Sequence, residues 1–278
     1  MLRTIVRSGS DLVDDVNARH VPAGRMALWW LGQHSFIAKA GEHVLYIDGF
    51  WAPIPQRLVP PLLTAEESSA HASIFLGTHD HSDHIDHDAW KILASRTRVK
   101  FVVPDLVKDA LSSDLGIARD RFIGMDDGQS QDVLPGVKVT AIAAAHECLE
   151  RCATTGRYRF LGFVIEANGA TIYHSGDTVV YEGLLTRLRK WKKFDAMLLP
   201  INGRDAGRFS GNIIGNMTYQ EAVDLAGTLQ PGVAMPTHWD MFAMNPGDVL
   251  GFCNYMKVKY PAQRVVVPNY GDAFEVGS

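Results

Sequence analysis

Thr78-His79-Asp80-His81-Ser82-Asp83-His84 lies between the apolar run Ile74-Phe75-Leu76 and a helical pattern from Asp88 to Ser95. Of eleven histidines in the chain, His79, His81, His84 and His87 crowd into this one stretch beside Asp80, Asp83, Asp86 and Asp88. Any one of them alone would read as a solvated loop residue or a helix N-terminal acid, but the whole string does not. Imidazole and carboxylate are the ligand types for Zn²⁺, Mn²⁺ or Fe²⁺, and an open coordination position lowers the pKa of bound water to about 7. In extended backbone after the strand, His79 and His81 point the same way while Asp83 and His84 turn over a neighbouring volume. Two metal positions are then within reach of one loop.

A metal site of this kind needs ligands from later in the chain. Three candidates stand at expected strand ends or turns: His146 after Ala145, Asp177 in Tyr173-His-Ser-Gly-Asp177, and His238 in Pro236-Thr-His238-Trp-Asp240. A structural zinc finger would want closely spaced cysteines, and Cys148, Cys152 and Cys253 do not supply that spacing. Cys148 and Cys152 lie near His146, where small core residues are the favoured reading over ligands.

Outward from the loop, period-two apolar patterns predict strands at Ala27–Leu31, Ser35–Lys39 and His43–Ile47, with turns at Gly32 and Gly41. From residue 74 strands and helices alternate: strands at 74–76, 100–104, 121–124 and 137–145, helices at 88–95 and 105–113. The second half repeats the texture, with strands at 159–166, 171–174, 196–199 and 233–236 and helices near 182–190, 218–229 and 247–257. Two β-rich halves that each carry helices predict an α/β fold built as a four-layer αββα sandwich. Residues 1–278 are read as one domain, with 1–25 a polar lead-in.

The formal net charge of −4 and a 21% charged fraction describe an ordinary folded protein and argue against a nucleic-acid partner. The basic cluster Arg187–Lys193 reads as a solvated helix end whose cations suit the C-terminal dipole. Three cysteines make a poor disulfide framework and point to a reducing, cytoplasmic location. No run is long and apolar enough for a membrane span.

The ordered set His79-x-His81-x-Asp83-His84, His146, Asp177 and His238 resembles the metallo-β-lactamase superfamily. Trp29-Trp30-Leu31-Gly32, Thr78 through Asp86, Tyr173 through Asp177, Met217-Thr218 and Pro236 through Asp240 are similar to the branch containing L-ascorbate-6-phosphate lactonase. N-acyl-phosphatidylethanolamine phospholipase D shares the tryptophan and histidine-loop texture. The resemblance implies a metallo-β-lactamase fold and two divalent ions, Zn or Mn with Fe also compatible. His79, His81 and His146 would hold one ion, Asp83, His84 and His238 the other, and Asp177 would bridge them. It implies hydrolysis of a lactone, of a sugar acid or a sugar phosphate, by metal-bound hydroxide, with Asp83 also orienting the nucleophile.

Asp48, His34 and His174 are candidates for holding the ligands in place. Tyr181, Asn202, Arg204 and Trp239 are candidates for contacting substrate, and Arg208 is an even choice between that and exposure. The expected partner is a small molecule, with an anionic substrate and a homo-oligomer both compatible. The rival readings are a phosphodiesterase of the same superfamily and a non-catalytic metal-containing binding protein.

Overall fold

The computed structural model describes residues 3–278. Helix α1 (Gly9–Ala18) comes first and buries Leu12 and Val16, one turn apart on a single face. The strands β1 (Arg25–Trp30), β2 (Phe36–Ala40) and β3 (His43–Ile47) then form an antiparallel meander. After the short helix α2 (Ala65–Ser69) come β4 (Ile74–Leu76), α3 (His87–Arg96), β5 (Lys100–Pro104), α4 (Asp105–Leu115) and β6 (Phe122–Met125). The pairs β3/β4, β4/β5 and β5/β6 are parallel. Every residue of β4 is buried, as expected of a central parallel strand covered on both faces.

A second sheet begins with β7 (Ser130–Leu134), β8 (Val137–Ala143), β9 (Leu161–Ala167) and β10 (Ala170–His174), paired antiparallel in sequence. Helix α5 (Leu184–Leu188), β11 (Ala196–Pro200), the short α6 (Ala206–Ser210), α7 (Tyr219–Leu229), β12 (Ala234–Thr237) and α8 (Val249–Lys259) follow. Here β10/β11 and β11/β12 are parallel. The last strand, β13 (Ala273–Gly277), returns to the first sheet and pairs antiparallel with β1. The strand orders are β13-β1-β2-β3-β4-β5-β6 and β12-β11-β10-β9-β8-β7. Buried side chains of both sheets join in one connected apolar cluster that includes Trp29, Trp30, Phe101, Phe163 and Leu198. The architecture is α/β, two mixed sheets flanked by helices.

Several local expectations need correction. The polar lead-in contains α1, because Leu12 and Val16 bury a stripe among the acids of that segment. The loop after β4 is not extended: it bends from Thr78 and tightens where the His81 carbonyl accepts from His84 and Ile85 backbone N–H groups, at 2.9 and 2.7 Å. The helix in front of the basic cluster ends at Leu188, so most of those cations lie beyond it. Arg187 pairs instead with Asp127 at 3.2 Å and Lys193 with Asp195 at 2.8 Å. Among the described residues no helix is long and apolar enough to cross a membrane.

Candidate metal centre

The candidate metal ligands collect at the C-terminal ends of strands from both sheets. Asp48 follows β3, Thr78 to His84 follow β4, His146 lies beyond β8, Asp177 beyond β10, and His238 directly after β12. The backbone there is unusual: Gln33, Asp48 and His238 have φ of 53°, 48° and 57°, in the left-handed region that few non-glycine residues occupy. Such conformations cost about 1–3 kcal/mol each and persist where surrounding bonds dictate them. The His238 N–H, for example, donates to the Gln33 carbonyl at 2.9 Å, and the Gln33 N–H donates to Asp240 Oδ1 at 3.0 Å.

Hydrogen bonds at the back of the cluster fix how the rings present themselves. His84 Nδ1 lies 2.7 Å from Asp48 Oδ2, and because a carboxylate only accepts, Nδ1 carries the proton and Nε2 faces the centre. Asp48 also accepts from the Thr78 N–H at 2.8 Å and its hydroxyl at 2.7 Å. That hydroxyl, having given its proton away, can accept only from His79 Nδ1, 3.1 Å distant. His79 Nε2 is therefore also free, and it stands 3.0 Å from His81 Nδ1. Around Asp177, His238 Nε2 is 3.1 Å from Oδ2, His84 Nε2 is 3.4 Å from Oδ1 and His146 Nε2 is 3.7 Å from Oδ2. Asp83 Oδ2 lies 3.6 Å from His84 Nε2 and 3.7 Å from His238 Nε2.

Charge is strongly perturbed here. Burial lowers His79 well below the usual imidazole range and holds His146 at about 4. Burial would lower His84 too, but the Asp177, Asp83 and Asp48 carboxylates outweigh it and raise that ring well above its ordinary value. His238 is raised in the same way, chiefly by Asp177. Burial works to raise Asp177, yet the facing His238 and His84 hold it well below the usual carboxylate range.

A family model described as a beta-lactamase superfamily domain matches residues 43–239, a span that contains Asp48, Thr78 to His84, His146, Asp177 and His238. The chain belongs to the β-lactamase superfamily. Within it, a UPF0173 metal-dependent hydrolase of Thermococcus onnurineus is 31% identical over 202 residues, covering 68% of this chain and 80% of that protein. Another of that family, from Pyrococcus abyssi, is 25% identical over 253 residues, 89% of this chain and 98% of its own. Among solved structures, Igni18, a metallo hydrolase of Ignicoccus hospitalis, superposes with a TM-score of 0.70 at 23% identity over 90% of this chain and 98% of that one. An isothiocyanate hydrolase from Delia radicum gut bacteria gives a TM-score of 0.71 at 15% identity, over 91% and 100%. The two-sheet architecture is the α/β metallo-β-lactamase fold.

The donor set suits a metal ion, in keeping with the metal-dependent hydrolases that the chain resembles. His84 Nε2 and Asp177 Oδ1 are buried and have no hydrogen-bond partner among the described residues. Buried polar atoms left unpaired need an explanation, and lone pairs converging from imidazoles and carboxylates have one in a cation. By geometry the donors fall into overlapping groups: His79, His81 and His146; His79, His84 and Asp177; Asp83, His84 and His238. A further group, His34, Asp48 and His174, sits behind them; Asp48 and His174 are bonded elsewhere, whereas both ring nitrogens of His34 are buried without a partner among the described residues. His174 Nε2 meets the His34 carbonyl at 2.8 Å and its Nδ1 accepts from the Gly176 N–H at 3.3 Å. His174 thus braces the turn that lifts Asp177. No cysteine takes part in these groups, and Cys148 is exposed.

His81, Asp83, His146, Asp177 and His238 line an open cavity of about 600 Å³. None of the four residues expected to contact substrate lines it. Tyr181 donates its hydroxyl to the Ala143 carbonyl at 2.5 Å, and Trp239 donates to the Pro236 carbonyl at 3.1 Å while packing on Trp30. Arg204 makes a two-pronged pair with Glu221, both contacts 2.8 Å. Asn202 is buried one step behind the cavity, bonded to Asn245 at 3.1 Å. These side chains satisfy the internal partners their own loops supply, which loop position alone does not reveal. Sequence reasoning missed Gln33, whose amide donates to Asp83 Oδ2 at 2.8 Å and lies 3.0 Å from His238 Nε2. Its one signal was its place beside Gly32 in the tryptophan-rich turn.

Proposed function

We propose that this protein opens a lactone, or cleaves a closely related carboxylic ester, with two divalent cations, Zn or Mn with Fe also compatible. His79, His81 and His146 would hold one, Asp83, His84 and His238 the other, and Asp177 would touch both. Bound there, the cations would supply a water nucleophile active at neutral pH and positive charge against the carbonyl oxygen. The observation that carries the reading is that five of these seven residues line one open cavity, so the cluster is reachable by substrate. A non-catalytic metal protein would more naturally close that access.

The residues divide the remaining work. Burial favours a neutral Asp83, but His84 and His238 outweigh it and keep the carboxylate ionised. Gln33 fixes its Oδ2, which leaves Oδ1 to take a proton from the nucleophile and return it to the leaving oxygen. His174 is unsuited to that task because it is buried with both nitrogens engaged. The free thiols Cys148, Cys152 and Cys253 accord with a reducing compartment, and the cytoplasm is our assignment. Residues 1–278 act in this reading as one hydrolase domain. The test is a panel of lactones and phosphodiesters given to protein stripped of metal and reloaded with Mn²⁺ or Zn²⁺. Lactone turnover that needs metal and vanishes in His81→Ala with Asp177→Ala is expected. Metal-independent turnover, or a preference for phosphodiesters, would overturn the assignment.

A further inference from the structure

The walls of the cavity beyond the histidine cluster come from three separated loops. Phe50 and Ile54 rise on one side, Ile213 and Ile214 on another, and Phe242 and Met244 close the third. Phe50 and Phe242 pack ring against ring at 6.2 Å, so two of these loops meet. Ile54, Ile214 and Met244 remain 37%, 40% and 53% exposed, which is a large amount of apolar surface to leave wet at one place. The polar members of the wall beyond the cluster and Gln33, namely Gln56, Ser82, Asn212 and Asn245, are all uncharged.

No lysine or arginine is among the described residues that line this space. Two arginines lie close behind it, but both are committed. Arg57 donates to the carbonyls of Val59, Phe50 and Ala52 at 2.8, 2.9 and 3.3 Å, and its guanidinium lies over the Phe50 ring at 4.3 Å. Arg208 holds Asn245 at 3.0 Å, the Pro246 carbonyl at 2.5 Å and the Asp205 carboxylate. A phosphate or carboxylate on the substrate would find no free cationic side chain here, whereas an alkyl or aryl group would find six apolar ones.

We infer that the substrate is an uncharged lactone or ester carrying an apolar substituent, which the Phe50, Ile54, Ile213, Ile214, Phe242 and Met244 wall grips while the carbonyl faces the histidine cluster. This rests on the hydrolase reading above and narrows it away from sugar-phosphate lactones. The apolar wall makes Ile214 and Met244 specificity-determining residues. Both are exposed enough that a polar replacement leaves the core intact.

The test uses the metal-loaded full chain, γ-lactones with side chains from methyl to heptyl, one phosphorylated sugar lactone, and the matching alkyl γ-lactams as unreactive ligands. We expect kcat/KM to rise about fourfold per added methylene over the first few carbons, which converts the roughly 0.8 kcal/mol that a buried methylene is worth. Lactam binding, followed by calorimetry, should show the same dependence. Ile214→Asp with Met244→Asp should flatten both series, and Val258→Asp, on a distant exposed helix face, should flatten neither. Turnover that ignores chain length, or favours the phosphorylated lactone, would overturn the inference and leave the hydrolase reading standing. Lactam affinity that climbs with chain length without any lactone turnover would uphold the apolar site and sink the lactonase assignment instead.

Discussion

Asp48 offers a sharp test of how the cluster is held, because one buried carboxylate satisfies three donors: the Thr78 N–H, the Thr78 hydroxyl and His84 Nδ1–H. In Asp48→Ala all three lose their partner inside the core. At about 1–3 kcal/mol for each donor left unpaired, and allowing for non-additivity, the loss should be roughly 3–6 kcal/mol. Alanine at φ 48° adds about 1–2 kcal/mol of backbone strain. That sum approaches the whole stability of an ordinary domain. Asp48→Asn is the more informative change, since asparagine tolerates this φ and its oxygen can still serve the Thr78 N–H. The amide nitrogen then faces His84 Nδ1 and forces that ring to move its proton to Nε2, so no lone pair points at the centre. The expected result is a stability loss of about 1–3 kcal/mol with metal affinity lowered about 10–100-fold. Urea unfolding of the metal-free protein and competition against a chelating dye measure the two effects separately. An Asp48→Asn protein that binds Mn²⁺ or Zn²⁺ as tightly as the parent would refute the claim that Asp48 orients His84.

Other outcomes follow from the same geometry. Because the facing carboxylates raise His84 and His238 and so favour their protonated forms without metal, loading should release protons in a pH-stat and apparent affinity should climb with pH; no release near pH 7 would contradict the ligand set. His146 and His71 are held down at about 4 against 6.5 when unfolded, so the unfolded chain binds more protons between those values. The share of metal-free stability that these two rings contribute should therefore be present in full above pH 6.5 and fall as pH drops toward 4, opposing the trend from His84 and His238; a His71→Gln change that left the pH 7 to pH 5 dependence of the urea midpoint unaltered would be inconsistent. Gly176→Ala would put a Cβ 2.3 Å from the Leu161 carbonyl oxygen at φ 59°. A loss of about 2–4 kcal/mol is expected there, together with weaker metal binding as Asp177 shifts, and a neutral midpoint would show that the turn can relax. Arg204→Ala breaks the pair with Glu221 and should cost about 1 kcal/mol while leaving KM unchanged. A several-fold rise in KM would place Arg204 back at the substrate.

The parts of the molecule that were legible in sequence are those whose meaning is local. Residue type and a place at a strand end were enough to select His79, His81, Asp83, His84, His146, Asp177 and His238, and the structure brings all seven into one volume. The alternation of strands and helices likewise carried the two-sheet architecture. What escaped was non-local. The apolar wall of the cavity is made where the loops holding Ile54, Ile214 and Met244 converge, and no single stretch announces that meeting. Tyr181 and Arg204 looked available because their partners, Ala143 and Glu221, lie 38 and 17 positions away. Gln33 follows the Gly32 turn with no local mark of a role, although its neighbours in space are Asp83, His238 and Asp240.

The pairing of β13 with β1 has a consequence for the order in which this molecule is made. Arg25 finds Gly277 and Trp29 finds Ala273, so the free edge of β1 stays open until β13 has been synthesised. Trp30 packs against both Tyr270 and Trp239, the residue after His238, so the support for that histidine is likewise completed late. A nascent chain would carry a bare, tryptophan-bearing strand edge until β13 is made, a known invitation to misassociation. Ribosome-stalled intermediates that lack β13 should therefore engage chaperones and stay inactive, and should mature once that strand emerges.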